Sequence, residues 1–457
     1  MSGDAPAATE SVNALEAAVA NSLDELRTFR FRWWAPVLLG IIMLFDSWDA
    51  STIGYVAPVL AKEWHLSPIA MGSLMSAGYA GQLVGAILLG GVAERYGRMR
   101  VFLFAIITMC LFGIICAFSP SYETLLPARF LQGIAIGGAL PVSITYINEL
   151  APTSTRGRYF GTFQFLCMAG YSAASVSSTM VIPTLGWRWM FGLGALPLLL
   201  LPLVVMTLPE SPRWLARAGR RRDAEQAMAK LGARGFDLGL VPDDGASVGK
   251  RSPRIPISSL FGSRYGARTT LLVSLWFLVS FAALGLSTWA PSIYVTVFHF
   301  PVEDALRYVA FQNLTFLLVS PSVALLLDKV GRRPLAITGT LISTIALMIL
   351  GFFTPSGTLA LVVLVIAGQL GVALASVIIW PYTAENYPTP MRAVALGFTS
   401  SFARAASMLT PLFVGLVLGM SGSVQIVFIA FGLCALVAML LWVFATHETT
   451  NVRLEQL

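Results

Sequence analysis

Two aspartates, Asp46 and Asp49, stand within an otherwise apolar run near the N-terminus of the chain. A carboxylate in hydrocarbon costs about 2.5–3.5 kcal/mol even on mild insertion scales, so such a residue is rarely retained without a function. Residues three apart share one face of a helix, so both carboxyl groups can face the same cavity. A carboxyl group whose surroundings alternate between dry and wet can take up and release a proton.

Two arginines, Arg129 and Arg404, lie within other apolar segments. Arg129 is the expected cationic partner of the two aspartates. Arg404 is flanked by small residues, and its planar guanidinium suits bidentate contact with a carboxylate. A static ion pair is the alternative for each arginine. Buried acids and bases together indicate a protein that handles protons and a small organic anion.

The composition places the chain in a membrane. It is 56% hydrophobic and 12% charged, with a mean hydropathy of +0.75, whereas a soluble domain has about 25% charged residues. A membrane span needs roughly 20 apolar residues and must be helical, because lipid offers no partner to backbone polar groups. Twelve such segments are predicted to start near residues 35, 69, 102, 124, 158, 188, 270, 305, 335, 358, 394 and 424. The sequence therefore predicts an all-α membrane protein with twelve transmembrane helices.

The distribution of positive charge along the chain indicates the membrane topology. If the N-terminus is cytoplasmic, nearly all of the arginines and lysines fall on cytoplasmic loops and helix ends, as the positive-inside rule requires. We therefore expect both termini in the cytoplasm and a multi-pass protein of the plasma membrane, in bacteria the inner membrane. The basic charge is spread over every inner loop, whereas a nucleic-acid footprint is clustered, so the lipid bilayer is an expected partner and nucleic acid is not.

The chain is predicted to consist of two halves. One long polar stretch separates six spans from six others. The expected units are listed here: a cytoplasmic tail (1–32), a six-helix bundle (33–208), a cytoplasmic linker (209–268), a second bundle (269–446) and a cytoplasmic tail (447–457).

Charged motifs repeat between the halves in nearly constant register. The Glu94–Arg98 motif returns at Asp328–Arg332, at an offset of 234 residues. The motif that begins at Glu149 returns at Glu385, at an offset of 236 residues. Duplicated units suit alternating access, in which two pseudo-symmetric bundles rock around a central site. We expect these helix-end charges to form a cytoplasmic gate, with retention of topology as the alternative; the residues are Glu94, Arg95, Arg98, Glu149, Arg156, Asp328, Arg332, Glu385 and Arg392.

These motifs resemble the major facilitator superfamily from about residue 33 to residue 446. The resemblance is carried by residues 90–100, by their second copy around Gly331, by residues 129–133 and by residues 209–215. It implies two pseudo-symmetric six-helix bundles and secondary transport.

The apolar seventh span and the two aspartates of the first span indicate which branch of the superfamily the chain resembles. Hexose porters carry glutamine and asparagine in span seven, but residues 275–285 have neither. The run Asp46–Asp49 resembles the DGxD motif of aromatic acid:proton symporters, with Ser47 at the glycine position. Residues 285–292 are similar to nicotinate-type carriers. The resemblance implies a benzoate-, 4-hydroxybenzoate- or nicotinate-like substrate.

The candidate site follows from these residue types. Asp46, Asp49 and Arg129 are the predicted proton-coupling residues, and Arg404 is predicted to bind the substrate carboxylate. Aromatic and amide side chains that could contact the ring are Trp48, Gln164, Trp289, Gln312 and Tyr382. Interfacial anchoring for the aromatic residues and contacts between helices for the amides are the alternatives.

No motif for ATP binding, metal-dependent hydrolysis or a nucleophilic serine is present in the sequence, so we expect no enzyme activity, no cofactor and no metal site. The prediction is a monomeric, proton-coupled symporter that imports a small aromatic or heteroaromatic carboxylate. A sugar, polyol or other organic-acid symporter, an exporter and a ligand-binding membrane sensor are the alternatives.

Overall fold

The computed structural model describes residues 15–16, 18–26, 34–233, 256–353, 355 and 357–449. Within these ranges the side chains of residues 154, 318–325, 328, 389 and 393 lie outside the description. All of the regular elements in the described part are helices.

From Ala35 onward, the described part of the N-terminal half has seven α-helices before the linker. They are α1 (Ala35–Glu63), α2 (Pro68–Tyr96), α3 (Arg98–Ala117), α4 (Tyr122–Leu150), α5 (Arg156–Leu185), α6 (Arg188–Leu193) and α7 (Pro197–Thr207). The helices α6 and α7 together form the sixth span. Two short helices follow, α8 (Pro212–Arg217) and α9 (Arg221–Leu231).

The described residues of the C-terminal half form six α-helices. They are α10 (Gly266–Thr296), α11 (Val302–Val330), α12 (Arg332–Phe353), α13 (Thr358–Glu385), α14 (Thr389–Ser421) and α15 (Val424–Phe444). Within the described residues, eleven helices are long and apolar enough to cross a membrane when α6 and α7 are counted as one. The 29-residue α11 stands outside that set, carries charges at both ends, and packs against α5 and α13 as the second helix of its half.

Helix packing repeats between the halves. Contacts of α2 with α4 and of α1 with α5 correspond to contacts of α11 with α13 and of α10 with α14. Between the halves, α2 packs on α14 and α5 packs on α11. The pseudo-symmetry that matches α2 with α11 and α5 with α14 converts one of these interfaces into the other. The packing therefore has the pseudo-symmetry that the repeated motifs predict.

Glycines bring α2 and α4 into backbone contact. A Cβ added at Gly81 or Gly133 would collide with the main chain of the other helix, at Phe130 and Gly78 respectively. Small residues drive close helix packing in membranes because they let dispersion contacts form along the backbone. This rigid pair holds Arg129, on α4, against α2.

The helices α3 and α12 begin with the same capping device. The Glu210 carboxylate accepts hydrogen bonds from the backbone N–H groups of Arg98 and Met99 at 2.8 and 2.9 Å. In the other half, Glu448 accepts from Arg332 and Arg333 at 3.1 and 2.9 Å. An anion is favourable at a helix N-terminus, where N–H groups lack partners.

Gly97 and Gly331 precede these two helices with φ values of +106° and +97°. Glycine adopts this left-handed conformation without the steric cost of a Cβ. The repeated motifs thus position the start of a helix in each half.

The described residues of the two halves form a shared apolar cluster on one side of the bundle and separate clusters on the other. We call the side where α1, α3, α5 and α10 begin the linker side. On the opposite side, one apolar cluster includes residues of both halves, and a Cβ at Gly54 of α1 would lie 3.0 Å from the Thr288 main-chain oxygen of α10. On the linker side, the described residues of each half form their own apolar cluster.

Candidate functional site

A cavity of about 310 Å³ lies between α5 of the N-terminal half and α10, α11 and α13 of the C-terminal half. Its deep end is near the middle of the helices, and it extends toward the linker side along α10 and α13. Gln369 and Trp380 both line it from α13, which at 1.5 Å per residue gives a length of about 16 Å. Small-molecule sites have volumes of this order.

The cavity wall is aromatic and uncharged. It is lined by Met168, Tyr171, Trp276, Val279, Ser280, Ala283, Leu284, Ser287, Asn313, Phe316, Gln369, Ala373, Ser376, Ile379 and Trp380. At the linker-side end, the rings of Trp276 and Trp380 meet edge to face with centroids 4.8 Å apart. The indole N–H of Trp276 donates to the Thr383 hydroxyl at 3.1 Å, which fixes the orientation of that ring.

Two amides supply polar atoms to the deep end. Asn313 donates through Nδ2 to the Tyr55 hydroxyl at 3.2 Å, and its main-chain oxygen accepts from the Ser172 hydroxyl at 2.9 Å. Gln369 is 8% exposed, and its side-chain oxygen has no hydrogen-bond partner among the described residues. A polar atom left without a partner in a dry site costs about 1–3 kcal/mol.

Asp49 is completely buried in the N-terminal half. Its side chain is 0% exposed, and neither carboxylate oxygen has a hydrogen-bond partner among the described residues. The carboxylate lies close to Gly194 and within reach of Gly113, where larger residues would intrude. An ionised carboxylate in this position would lack both water and donors, so the conformation suits a protonated, neutral acid.

Asp46 lies one turn before Asp49 and is 5% exposed, with one oxygen buried and unpaired among the described residues. The two carboxyl groups are close enough for their charges to interact. Asp46 is also within electrostatic range of Tyr171, which lines the cavity. The aspartates therefore lie beside the cavity rather than in its wall.

Arg129 is 1% exposed and lies between Asp49 and Gly78 of α2. Its Nη1 donates to the Gln132 side-chain oxygen at 2.6 Å and to the Asp49 main-chain oxygen at 3.3 Å. The guanidinium also lies over the Phe191 ring, 5.5 Å from its centroid. Arg129 is thus next to Asp49 without a hydrogen bond to its carboxylate.

Arg404 lies on α14, in the interface between the halves and outside the cavity wall. Nearby on the same helix, the Met408 main-chain oxygen accepts from the Ser76 hydroxyl of α2 at 2.7 Å. The guanidinium of Arg404 is half-buried and forms no ion pair or hydrogen bond with the side chains that the structure describes. A half-buried guanidinium with no partner among the described side chains is available to an anion.

The other predicted substrate residues lie around the cavity, not in its wall. Trp48 is packed in the N-terminal half, where its indole donates to the Met190 main-chain oxygen at 2.9 Å. Gln164 is half-buried on α5, one turn to the linker side of Met168. Trp289 and Gln312 are each 1% exposed, and Tyr382 packs against Trp442 with ring centroids 4.7 Å apart.

The predicted gate residues form ion pairs within each half. Arg98 pairs with Glu94 at 2.8 Å and with Glu149 at 3.2 Å. Arg332 pairs with Glu385 at 3.1 Å, in the equivalent place of the other half. Arg217, which the sequence did not single out, also pairs with Glu149.

The remaining gate residues are placed as follows. Arg95 and Arg156 are exposed, the side chain of Arg392 is half-buried, and the side chain of Asp328 lies outside the description. The role of this network as a gate between the halves stays a prediction.

Four aromatic or amide residues of the lining were not singled out from the sequence, namely Tyr171, Trp276, Phe316 and Gln369. Asn313 and Trp380 could be considered from residue type alone, since both are polar or aromatic residues within a span. Gln369 carries the same signal, an amide in an apolar helix. Tyr171 and Trp276 have no signal that separates them from the other aromatic residues.

Two pseudo-symmetric halves of membrane-crossing helices around a central cavity define a transporter with the major facilitator fold. The chain belongs to the sugar (and other) transporter family, whose model matches residues 33–457. This membership confirms the predicted fold class and the family resemblance.

Known transporters resemble the chain over nearly its whole length. The niacin transporter NiaP of Acinetobacter baylyi is 27% identical over 442 residues, which are 96% of this chain and 99% of that protein. The gallate transporter of Pseudomonas putida is 30% identical over 429 residues, which are 92% of this chain and 93% of that protein.

A solved structure shares the fold. The inward-open xylose transporter XylE from E. coli has a TM-score of 0.74 and 21% identity, covering 92% of this chain and 97% of that one. The family and these relatives are transporters, so the chain is a multi-pass membrane transporter and not an enzyme.

Proposed function

We propose that this protein is a proton-coupled symporter that imports a small aromatic or heteroaromatic carboxylate by alternating access. The observation that carries the proposal is a cavity with aromatic side chains in its wall, one of which, Tyr171, is within electrostatic range of the buried Asp46. The cavity accommodates a single ring, and the aspartates offer a place for the accompanying proton.

The substrate class is supported by the cavity wall and by the relatives. Aromatic side chains recognise a flat ring through its faces and edges, and Tyr171 and Phe316 supply them near the deep end. Niacin and gallate, which name two of the similar transporters, are both aromatic carboxylates. Arg404 is the proposed partner of the substrate carboxylate.

Proton coupling is supported by Asp49 and Arg129. A carboxyl group without hydrogen bonds is stable when neutral, whereas ionisation requires water or a closer cation. Movement of the Arg129 side chain toward the Asp49 carboxylate, or entry of water, would release the proton. Rocking of the halves provides such an alternation, because α1 packs on α10 of the other half.

The orientation is proposed from charge. Basic residues on cytoplasmic loops would place the linker side in the cytoplasm of a bacterium, with the protein in the inner membrane. The structure is then closed toward the outside and separated toward the inside. The protein is proposed to work as a monomer, since the cavity lies within one chain.

The test is uptake into proteoliposomes with an imposed proton gradient. Labelled benzoate, 4-hydroxybenzoate, nicotinate and xylose are compared in the same preparation. We expect accumulation of an aromatic acid that a protonophore abolishes. Accumulation of xylose alone would overturn the substrate class, and binding of an aromatic acid without any counterflow would indicate a sensor.

A further inference from the structure

Gln369 is the unsatisfied polar group of the deep end of the cavity. Its side chain is more than nine-tenths buried, and its oxygen accepts no hydrogen bond from the described residues. Asn313, the other amide of the wall, already donates to Tyr55. No described side chain of the cavity wall bonds to this oxygen, so a donor group of a ligand that reaches it is the natural partner.

The surroundings of Gln369 determine what kind of atom this can be. Every residue in the cavity wall is uncharged, and the residues of α11 whose side chains are not described, 318–325, include no charged type. A carboxylate at the deep end would therefore face no cation from the wall, at a large desolvation cost. A neutral donor such as a phenolic hydroxyl would face an unpaired oxygen.

We infer that Gln369 is a specificity-determining residue that accepts a hydrogen bond from a neutral polar substituent on the substrate ring. The ring lies at the deep end beside Tyr171, with its substituent toward Gln369 and its carboxylate directed away from it. This inference rests on the proposed function, and it adds the orientation of the substrate and the residue that distinguishes one aromatic acid from another.

The experiment compares two acids that differ by one hydroxyl group. Equilibrium binding of labelled benzoate and 4-hydroxybenzoate is measured on the purified full-length chain, wild type and Gln369→Leu. Loss of one neutral hydrogen bond, about 0.5–1.5 kcal/mol, weakens binding by about two- to tenfold. We expect that loss for 4-hydroxybenzoate alone, while the affinity for benzoate changes less than twofold.

Two further variants make the result specific. Gln369→Met keeps a long flexible side chain without the amide and should reproduce the loss. Thr340→Val is the matched control, because Thr340 is equally buried in the same half but bonds to Ala336 of its own helix and lies outside the cavity wall. It should leave the ratio of the two affinities unchanged.

The outcomes separate this inference from the proposed function. Equal weakening of both acids in Gln369→Leu, or no weakening of either, would overturn the role of Gln369 while aromatic acid binding stands. Wild-type protein that binds neither these two acids nor nicotinate would overturn the proposed function, and this inference with it.

Discussion

Asn313 of the C-terminal half donates a hydrogen bond of 3.2 Å to the hydroxyl of Tyr55 in the N-terminal half. Asn313 also lines the cavity, and Tyr55 lies on α1, the helix that carries both buried aspartates. One polar contact therefore joins the cavity wall, the helix of the proposed proton site and the interface at which the halves meet.

Replacing Tyr55 by phenylalanine should weaken closure of the opposite side. The Tyr55 hydroxyl accepts from Asn313 and donates to the Tyr171 main-chain oxygen at 3.5 Å. Loss of a buried bond of about 0.5–1.5 kcal/mol would lower the population of the closed state by about two- to tenfold. Hydrogen exchange of residues 68–76 and 411–418, which pack together at that side, should become faster.

Tyr294→Phe is the control for Tyr55→Phe. Tyr294 is 1% exposed, and its hydroxyl has no hydrogen-bond partner among the described residues. Its removal should leave exchange in both segments unchanged. Equal acceleration in the two variants would show that the Asn313–Tyr55 contact has no particular role in closure.

Replacing Glu210 or Glu448 by alanine should lower stability. Each carboxylate accepts backbone N–H groups at the start of a helix, and loss of such a cap costs about 0.5–2 kcal/mol. The midpoint of thermal unfolding in detergent should fall by a few degrees for each variant, by about 2–4 °C per kcal/mol for a bundle of this size. Glu25→Ala, at an exposed position away from a helix N-terminus, should change the midpoint little, and a similar fall in that variant would contradict the capping role.

Replacing Arg404 by glutamine should impair recognition of the carboxylate. A charge-assisted hydrogen bond contributes about 1.5–3 kcal/mol, so KM for benzoate should rise by about 10- to 150-fold. Binding of benzamide, which lacks the negative charge, should be unaffected. Arg307→Gln is the control, because Arg307 is exposed and pairs with Asp304 at 3.4 Å. Equal losses for benzoate and benzamide would indicate a structural role for Arg404.

Docking of the N-terminal segment should depend on pH through Asp24. The hydroxyl and main-chain N–H of Thr153 donate to the Asp24 carboxylate, and the hydroxyl bond is the largest cause lowering the pKa of Asp24 below its usual 3.8. A carboxyl group with a lowered pKa stabilises the folded state above its unfolded pKa, and this contribution is lost as pH falls through the folded pKa.

Limited proteolysis can follow this docking. Cleavage within residues 18–26 should be slow at pH 7 and faster below about pH 3.8, the range in which Asp24 becomes protonated. The variant Asp24→Asn should be cleaved faster at pH 7. An acid-stable protease is required, and identical cleavage of the wild type and Asp24→Asn at both pH values would contradict the proposed contact.

Sequence analysis could identify charged residues within apolar segments, because polar groups are costly in lipid. Asp46, Asp49, Arg129 and Arg404 were identifiable because a charge in an apolar segment stands out from its neighbours. In the structure none of the four lines the cavity, and Asp49 and Arg129 are buried within the N-terminal half. Their individual roles in coupling and binding stay predictions.

The cavity wall itself could not be derived from the sequence. Gln312 and Asn313 are adjacent amides on α11, yet Asn313 lines the cavity and Gln312 does not. Neighbouring residues on a helix point about 100° apart, so the register that decides between them is set by packing against other helices. Gln369 is likewise an amide in an apolar helix, and the sequence does not show which of these amides reaches the cavity.

Contacts between distant parts of the chain were also beyond sequence reasoning. Glu210 caps the helix that begins at Arg98, 112 residues earlier, and Glu448 repeats this at Arg332, 116 residues earlier. The two glutamates lie in dissimilar sequence contexts, because Glu210 stands between Pro209 and Pro212 and Glu448 has no proline beside it. The folded pairing shows that the duplication extends to these caps.

The most direct test of proton coupling compares Asp49→Asn with the wild type in two assays on the same proteoliposomes. Asparagine mimics the neutral acid, so counterflow exchange of the labelled aromatic acid that the wild type carries should continue, while accumulation driven by a proton gradient should be lost. Asp46→Asn is measured in parallel, with Asp304→Asn as the exposed control that retains both activities. Undiminished gradient-driven accumulation in both Asp46→Asn and Asp49→Asn would contradict the proton role of these aspartates.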